Sequence, residues 1–103
     1  MIKIAYLNSK FLKFKNAKIH IEDRGLQFSD SVYEVIPCYK KKLIDFDFHI
    51  KRLKYSLKEL NIKYKIDKKK FKIIFYKLIL KNKIINGIIY LQITRGVQSR
   101  DHA

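Results

Sequence analysis

The sequence predicts an α+β fold in which a mixed or mostly antiparallel sheet carries two helices on one face. Three observations predict it: alternating apolar residues in the first 45 positions, two stretches with helical periodicity after them, and a last alternating stretch behind Asn86-Gly87. Apolar residues make up 48% of the chain, which excludes a composition typical of disorder. We expect residues 1–103 to form a single domain with one modest core.

The N-terminal residues predict short strands. Met1 to Tyr6 alternates apolar residues with lysine, and Asn8-Ser9 is a plausible hairpin turn. Phe11 to Phe14 then suggests the returning strand. Ile19 and Ile21, separated by a histidine, predict a third short strand.

The next segment predicts a loop followed by a second pair of strands. Glu22 to Ser31 is polar, contains Gly25, and is expected to be an ordered loop. Val32 to Tyr39 is rich in β-forming residues, Lys40 to Lys42 predicts a turn, and Leu43-Ile44 begins another short strand.

The period then changes to that of a helix. One apolar face is predicted from Ile50, Leu53, Leu57 and Leu60, and Asp47 is the expected N-terminal cap. A second helix should follow Asp67, end near Lys81 and Asn82, and bury one side formed by Phe71, Ile74, Phe75, Leu78 and Ile79.

The last predicted strand follows the turn signal Asn86-Gly87. Ile89, Leu91 and Ile93 should share one of its faces.

The net charge of +15 raises binding to nucleic acid or to an acidic membrane as an alternative function. Only four of the 24 basic residues are arginine, the residue best suited to forked contacts with phosphates and bases. The lysines are scattered along the chain, so nucleic-acid binding is the less favoured interpretation.

Other function classes find little support in the residues. Cys38 is the single cysteine, which excludes an internal disulfide and predicts a buried thiol in a cytoplasmic protein. The apolar run from Ile73 to Leu80 contains a lysine and is too short to cross a bilayer, and we expect no signal peptide. The histidines, His20, His49 and His102, lack the spacing of metal ligands.

A series of phrases follows in order along almost the whole chain. They are Tyr6-Leu7-Asn8, Glu22-Asp23-Arg24-Gly25, Phe28-Ser29-Asp30-Ser31-Val32-Tyr33-Glu34-Val35, His49-Ile50-Lys51-Arg52-Leu53, Tyr90-Leu91-Gln92-Ile93-Thr94-Arg95-Gly96 and Arg100-Asp101-His102. Together they resemble the N-terminal domain of the class IV, pyridoxal-phosphate-dependent aminotransferases, and within that family the D-amino-acid (D-alanine) aminotransferases.

The resemblance implies roles for several residues. Arg52, in the phrase His-x-x-Arg-Leu, matches the arginine that binds the cofactor phosphate, and a guanidinium suits that task because it donates two parallel hydrogen bonds. Tyr33 matches a tyrosine that helps to bind the substrate carboxylate. His49 occupies a characteristic position of the family, and we assign it a structural role beside Arg52.

Arg100 and His102 match an Arg-x-His pair that distinguishes the D-amino-acid enzymes from their branched-chain relatives. In the family this pair binds the substrate α-carboxylate in the site of the neighbouring subunit. The resemblance therefore implies a homodimer, a D-amino acid and a 2-oxo acid as substrates, and pyridoxal 5'-phosphate as cofactor.

The sequence departs from the family pattern at three places. Ser29 and Ser31 stand where the family has glycine, which adds strain if their φ angles are positive. The turn usually written Tyr-Asn-Gly is here Tyr39-Lys40-Lys41.

The third departure concerns the lysine to which the family's cofactor is linked, because none of the lysines here lies in a matching context. We therefore expect no transamination by this chain alone, no catalytic residue within it, and completion by a separately encoded C-terminal half. A non-catalytic dimerisation or binding module remains an alternative.

Overall fold

The computed structural model describes residues 2–97 and contains helices and antiparallel strands, as the α+β prediction requires. Arg100 and His102 lie outside the described residues. The elements in chain order are β1 (Ile4–Leu7), β2 (Lys10–Lys13), a 3-10 turn (Phe14–Asn16), α1 (Arg24–Phe28), β3 (Ser31–Tyr39), β4 (Lys42–Leu43), α2 (Phe46–Glu59), α3 (Lys68–Lys81) and β5 (Gly87–Thr94).

The first two strands form a hairpin that is a sheet of its own. Asn8 and Ser9 connect them, both with positive φ (49° and 73°), as a two-residue hairpin turn requires. The Asn82 side chain at the end of α3 fastens β1: its Oδ1 accepts from the Ile4 amide at 2.8 Å and its Nδ2 donates to the Ile4 carbonyl at 3.0 Å.

The main sheet has three strands in the order β4-β3-β5, and both pairings are antiparallel. Along β3 the burial alternates strictly. Its inward side chains are Val32, Glu34, Ile36 and Cys38, and the opposite side chains are half-buried or exposed. Three of these four inward residues are apolar, so Glu34 is the exception and needs polar partners.

Both long helices cover the inward face of this sheet. The α2 helix buries Phe46, Ile50, Leu53 and Leu57, and α3 buries Phe71, Ile74, Phe75 and Ile79. Fully burying a side chain of this size contributes roughly 1.5–3 kcal/mol. These residues and the inward apolar residues of β3 and β5 form one core cluster, in which Cys38 is also buried.

Three sequence-based expectations are wrong in detail. Ile19 and Ile21 form no strand and are 51% and 74% exposed, because this segment pairs with no neighbouring strand among the described residues. Asp45 rather than Asp47 occupies the N-cap position of α2, and Asp47 instead pairs with Lys68 at 2.9 Å. Leu60 is the C-cap residue of that helix and is 42% exposed.

The expected loop from Glu22 to Ser31 contains a short helix, α1. Asp23 is its N-cap and accepts a hydrogen bond from the Gly25 amide at 2.8 Å. Ser29 ends the helix with φ at 52°, in the left-handed region that favours glycine. Ser31 lies in strand β3 and its φ is not positive, so only one of the two replaced glycines corresponds to a strained position.

The turn between β3 and β4 is strained in the same sense. Lys40 and Lys41 both have positive φ (49° and 65°), and Tyr39 pairs with Lys42 on either side of them. This is the two-residue turn for which Asn-Gly is favoured. The lysine pair is retained because Asn86 Oδ1 accepts from the Lys40 amide and the Ile85 carbonyl accepts from the Lys41 amide.

Two functional alternatives can be compared with the described residues. No helix there is long and apolar enough to cross a membrane. No group of three or more potential metal-binding side chains occurs in residues 2–97.

Candidate functional site

Glu34 is the centre of a buried polar cluster that sequence reasoning did not assign. Its side chain is 3% exposed. Arg52 Nε donates to Oε2 at 2.9 Å, Arg52 Nη2 donates to Oε1 at 2.8 Å, and His49 Nδ1 lies 2.7 Å from Oε1. Two parallel bonds from one guanidinium are the strongest form of this pairing.

The cluster follows from the way α2 packs on β3. His49 and Arg52 are three residues apart on the helix and therefore project from neighbouring positions of one face. Glu34 projects from β3 toward that face. His49 is positioned beside Arg52 as expected, but the contact runs through the Glu34 carboxylate. An acidic residue at an inward position of an apolar strand was the signal in the sequence that could have indicated this cluster.

The cluster keeps Glu34 ionised. Burial by itself would raise the pKa of Glu34, but hydrogen bonds from Arg52 and His49 and the charge of Arg52 outweigh it, so the pKa lies below its ordinary value of 4.5. The same contact raises the pKa of Arg52. The guanidinium is therefore permanently charged and tied to a permanently charged carboxylate.

Arg52 is fixed on one side and open on the other. Its side chain is 52% exposed, and the Phe48 ring lies 5.2 Å from the guanidinium carbon. Glu34 occupies the edge formed by Nε and Nη2. Within residues 2–97 no acceptor contacts Nη1, so the edge formed by Nη1 and the second Nη2 proton can receive an anion. This geometry fits a phosphate group.

Tyr33 lies on the opposite face of β3 from Glu34 and is 62% exposed, so it is not a core residue. Its ring stacks on Tyr90 of β5, with centroids 5.8 Å apart and planes 13° apart. The phenol is close enough to Arg52 to contribute to the raised pKa of that residue. On the same face Gln92 donates to Ser31 Oγ at 3.0 Å, and the Tyr90 hydroxyl donates to Gln92 at 3.3 Å.

A second ionic cluster connects the loop before β3 with the end of β5. Asp30 accepts from both Arg95 and Arg24. The hydrogen bond from Arg95 is the main cause that lowers the pKa of Asp30. Arg95 also donates to the carbonyls of Leu60 at 2.6 Å and Asn61 at 3.1 Å, which fastens the C-terminal end of α2.

The structure thus brings four of the sequence phrases together at one end of the sheet. Asp23 accepts from the Thr94 hydroxyl at 3.1 Å, which joins the first loop to β5. Two open clefts of about 420 Å³ lie elsewhere, one beside residues 54–65 and one beside the β1–β2 hairpin, and neither is lined by Arg52 or Tyr33. The described residues therefore provide an anion contact and an exposed aromatic face.

Comparison with known proteins relates this arrangement to a family. Residues 31–103 match the profile of the family described as amino-transferase class IV. A D-alanine aminotransferase of Listeria monocytogenes serotype 4b (strain F2365) is 38% identical over 97 residues, which are 93% of this chain and 34% of the relative. A D-alanine aminotransferase of Staphylococcus epidermidis (strain ATCC 35984) is 33% identical over 95% of this chain and 35% of its own length.

Solved structures agree with the fold. A branched-chain amino acid aminotransferase from Escherichia coli superposes with a TM-score of 0.85 at 23% identity, covering 93% of this chain and 34% of the other. A bacterial branched-chain enzyme from T.th., solved in complex with N-(5'-phosphopyridoxyl)-L-glutamate, gives a TM-score of 0.87 at 18% identity and covers 96% of this chain and 35% of the other.

The chain spans about a third of the length of the curated relatives that it matches. The matching profile covers more than two thirds of the chain and includes β3, α2, α3 and β5, the elements that carry both ionic clusters. These relatives give no support to nucleic-acid binding as the role of the high positive charge. The chain belongs to the class IV aminotransferase family.

Proposed function

We propose that this chain forms the phosphate-anchoring part of a pyridoxal-phosphate-dependent D-amino-acid aminotransferase. The reaction would transfer the amino group of a D-amino acid, typically D-alanine, to a 2-oxo acid such as 2-oxoglutarate. The proposal is supported by the identity to D-alanine aminotransferases over most of this chain. The observation that carries it is the Arg52 guanidinium, which is held by Glu34 and leaves one edge open to an anion.

Each site residue has a task in this proposal. Arg52 would bind the phosphate of the cofactor through its open edge. Tyr33 would offer its exposed hydroxyl to the substrate carboxylate, and Arg100 and His102 would bind that carboxylate in the site of a second subunit. When bound, pyridoxal phosphate supplies the electron sink that makes the amino group transferable.

The proposal requires a completing partner. No lysine of this sequence occupies the context of the family's catalytic lysine, so it would come from residues beyond these 103 or from a separately encoded chain. We propose a homodimeric assembly, because Arg100 and His102 would otherwise act in no site. In isolation the chain should bind the phosphate without transferring amino groups.

The test is a titration of the purified chain with pyridoxal phosphate and with inorganic phosphate, followed by ³¹P NMR and calorimetry. Arg52→Lys keeps the charge that Glu34 requires but loses the fork, and it should weaken binding of both by roughly tenfold, the equivalent of one charge-assisted hydrogen bond. Lys51→Ala removes an exposed charge from the same helix and is the matched control, expected to stay within about twofold of wild type.

Equal affinities of wild type and Arg52→Lys for both ligands would show that Arg52 is no phosphate anchor. A visible spectrum with pyridoxal phosphate adds an independent check. The chain alone should leave the spectrum close to that of the free cofactor, and a strong red-shifted band would reveal a reactive lysine that the sequence does not indicate.

A further inference from the structure

Arg52 can serve an anion only if its long side chain is held in one orientation, and the structure shows what holds it. Glu34 binds one edge of the guanidinium with two hydrogen bonds of 2.8 and 2.9 Å, and Phe48 covers one face of it. His49 holds Glu34 in turn at 2.7 Å. Each of these contacts reduces the number of rotamers that the exposed arginine can adopt.

We propose that Glu34 is a positioning residue for anion binding, which acts by aiming the open edge of Arg52 at the phosphate. The inference rests on the proposed function of Arg52 and deepens it. Glu34 itself is 3% exposed and has its carboxylate oxygens occupied by Arg52 and His49, so it contacts no ligand.

The charge of Glu34 works against this role, which makes the proposal testable by sign. A carboxylate near a bound phosphate repels it, so removal of the negative charge alone would strengthen phosphate binding. Loss of positioning would weaken it, because the freed guanidinium must be ordered again on binding. A glutamate that only completes the core would give the first result, and a positioning glutamate gives the second.

The experiment is a double-mutant cycle with inorganic phosphate as the probe, measured by ³¹P NMR on the full chain. Glu34→Gln should weaken phosphate binding by about fivefold in the wild-type background, although it raises the net charge by one. In the Arg52→Lys background the same change should alter the affinity by less than about twofold, since the lysine has no fork to aim.

A matched control and a direct readout separate positioning from general effects. Glu59→Gln raises the net charge equally at an exposed position of the same helix and should bind phosphate at least as well as wild type. In wild type the Arg52 Nε–H resonance should exchange slowly with water because it donates to Glu34, and Glu34→Gln should accelerate that exchange.

Glu34→Asp is the second variant if Glu34→Gln does not fold, because it keeps the charge and shortens the reach by one methylene. It should also weaken phosphate binding. Unchanged or tighter binding by the Glu34 variant that folds, or an equal loss in the Arg52→Lys background, would overturn the positioning role alone. Unchanged binding by Arg52→Lys itself would remove the proposed function and this inference together.

Discussion

Gly25 packs so closely against Thr94 that a Cβ at position 25 would overlap the Thr94 methyl group and lie 2.9 Å from its Cβ. The same Thr94 donates its hydroxyl to Asp23, the cap of α1. Gly25 is thus required by space, as the residue that lets the first loop meet β5.

We expect Gly25→Ala to destabilise the chain by about 1–3 kcal/mol, the usual cost of overpacking. Urea denaturation followed by circular dichroism measures the change. Thr94→Ser removes the methyl group and keeps the hydroxyl, so the double variant Gly25→Ala/Thr94→Ser should regain part of the loss. A single variant as stable as wild type would contradict the packing explanation.

Glycine at position 29 should stabilise the chain, whereas glycine at position 31 should not. Ser29 has φ at 52°, so Ser29→Gly relieves about 1 kcal/mol of backbone strain. Ser31 lies in β3 and accepts from Gln92, so Ser31→Gly weakens the strand by roughly 0.5–1 kcal/mol. Thermal unfolding of the two variants should shift in opposite directions. Shifts of the same sign would refute this assignment of strain.

The turn at Lys40-Lys41 offers a larger gain. Both residues have positive φ, so Lys40→Asn/Lys41→Gly should stabilise by about 1–2 kcal/mol and raise Tm by several degrees. Lys69→Gly, which replaces an exposed lysine inside α3, is the matched control and should destabilise by about 1 kcal/mol. If both changes lower Tm, the turn is not under strain.

The stability of the chain should fall in acid because of Glu34. Its folded-state pKa lies below the ordinary 4.5, so the unfolded state binds more protons. The contribution is fully present above pH 4.5 and is lost as the pH falls through the lower folded-state value. Urea denaturation at a series of pH values should show a shallower acid loss for Glu34→Gln than for wild type. Parallel curves would disprove the contribution of Glu34.

The positions of the long elements could be predicted because their apolar residues repeat at a fixed period. The helix after Asp67 ends at Lys81 as expected, and Ile89 is buried with Leu91 and Ile93 on the same face of β5. The same method failed at Ile19 and Ile21, where alternation alone indicated a strand. A strand exists only if a partner pairs with it, and two residues do not reveal a partner.

For the site, the sequence pointed to Arg52 and Tyr33 as residues but could not show how they are arranged. Glu34 stood inside a quoted phrase and received no role, because the partners that require it lie 15 and 18 positions away. The roles of Arg100 and His102 in substrate binding remain predictions.

The sequence by itself determined the order of strands and helices, the apolar faces and the family, since these depend on local periodicity and on the succession of motifs. The tertiary structure decided which face Tyr33 occupies, which serine carries positive φ, and which edge of Arg52 remains open. Those properties depend on contacts between distant segments, chiefly the packing of α2 on β3, and no local pattern encodes a distance between them.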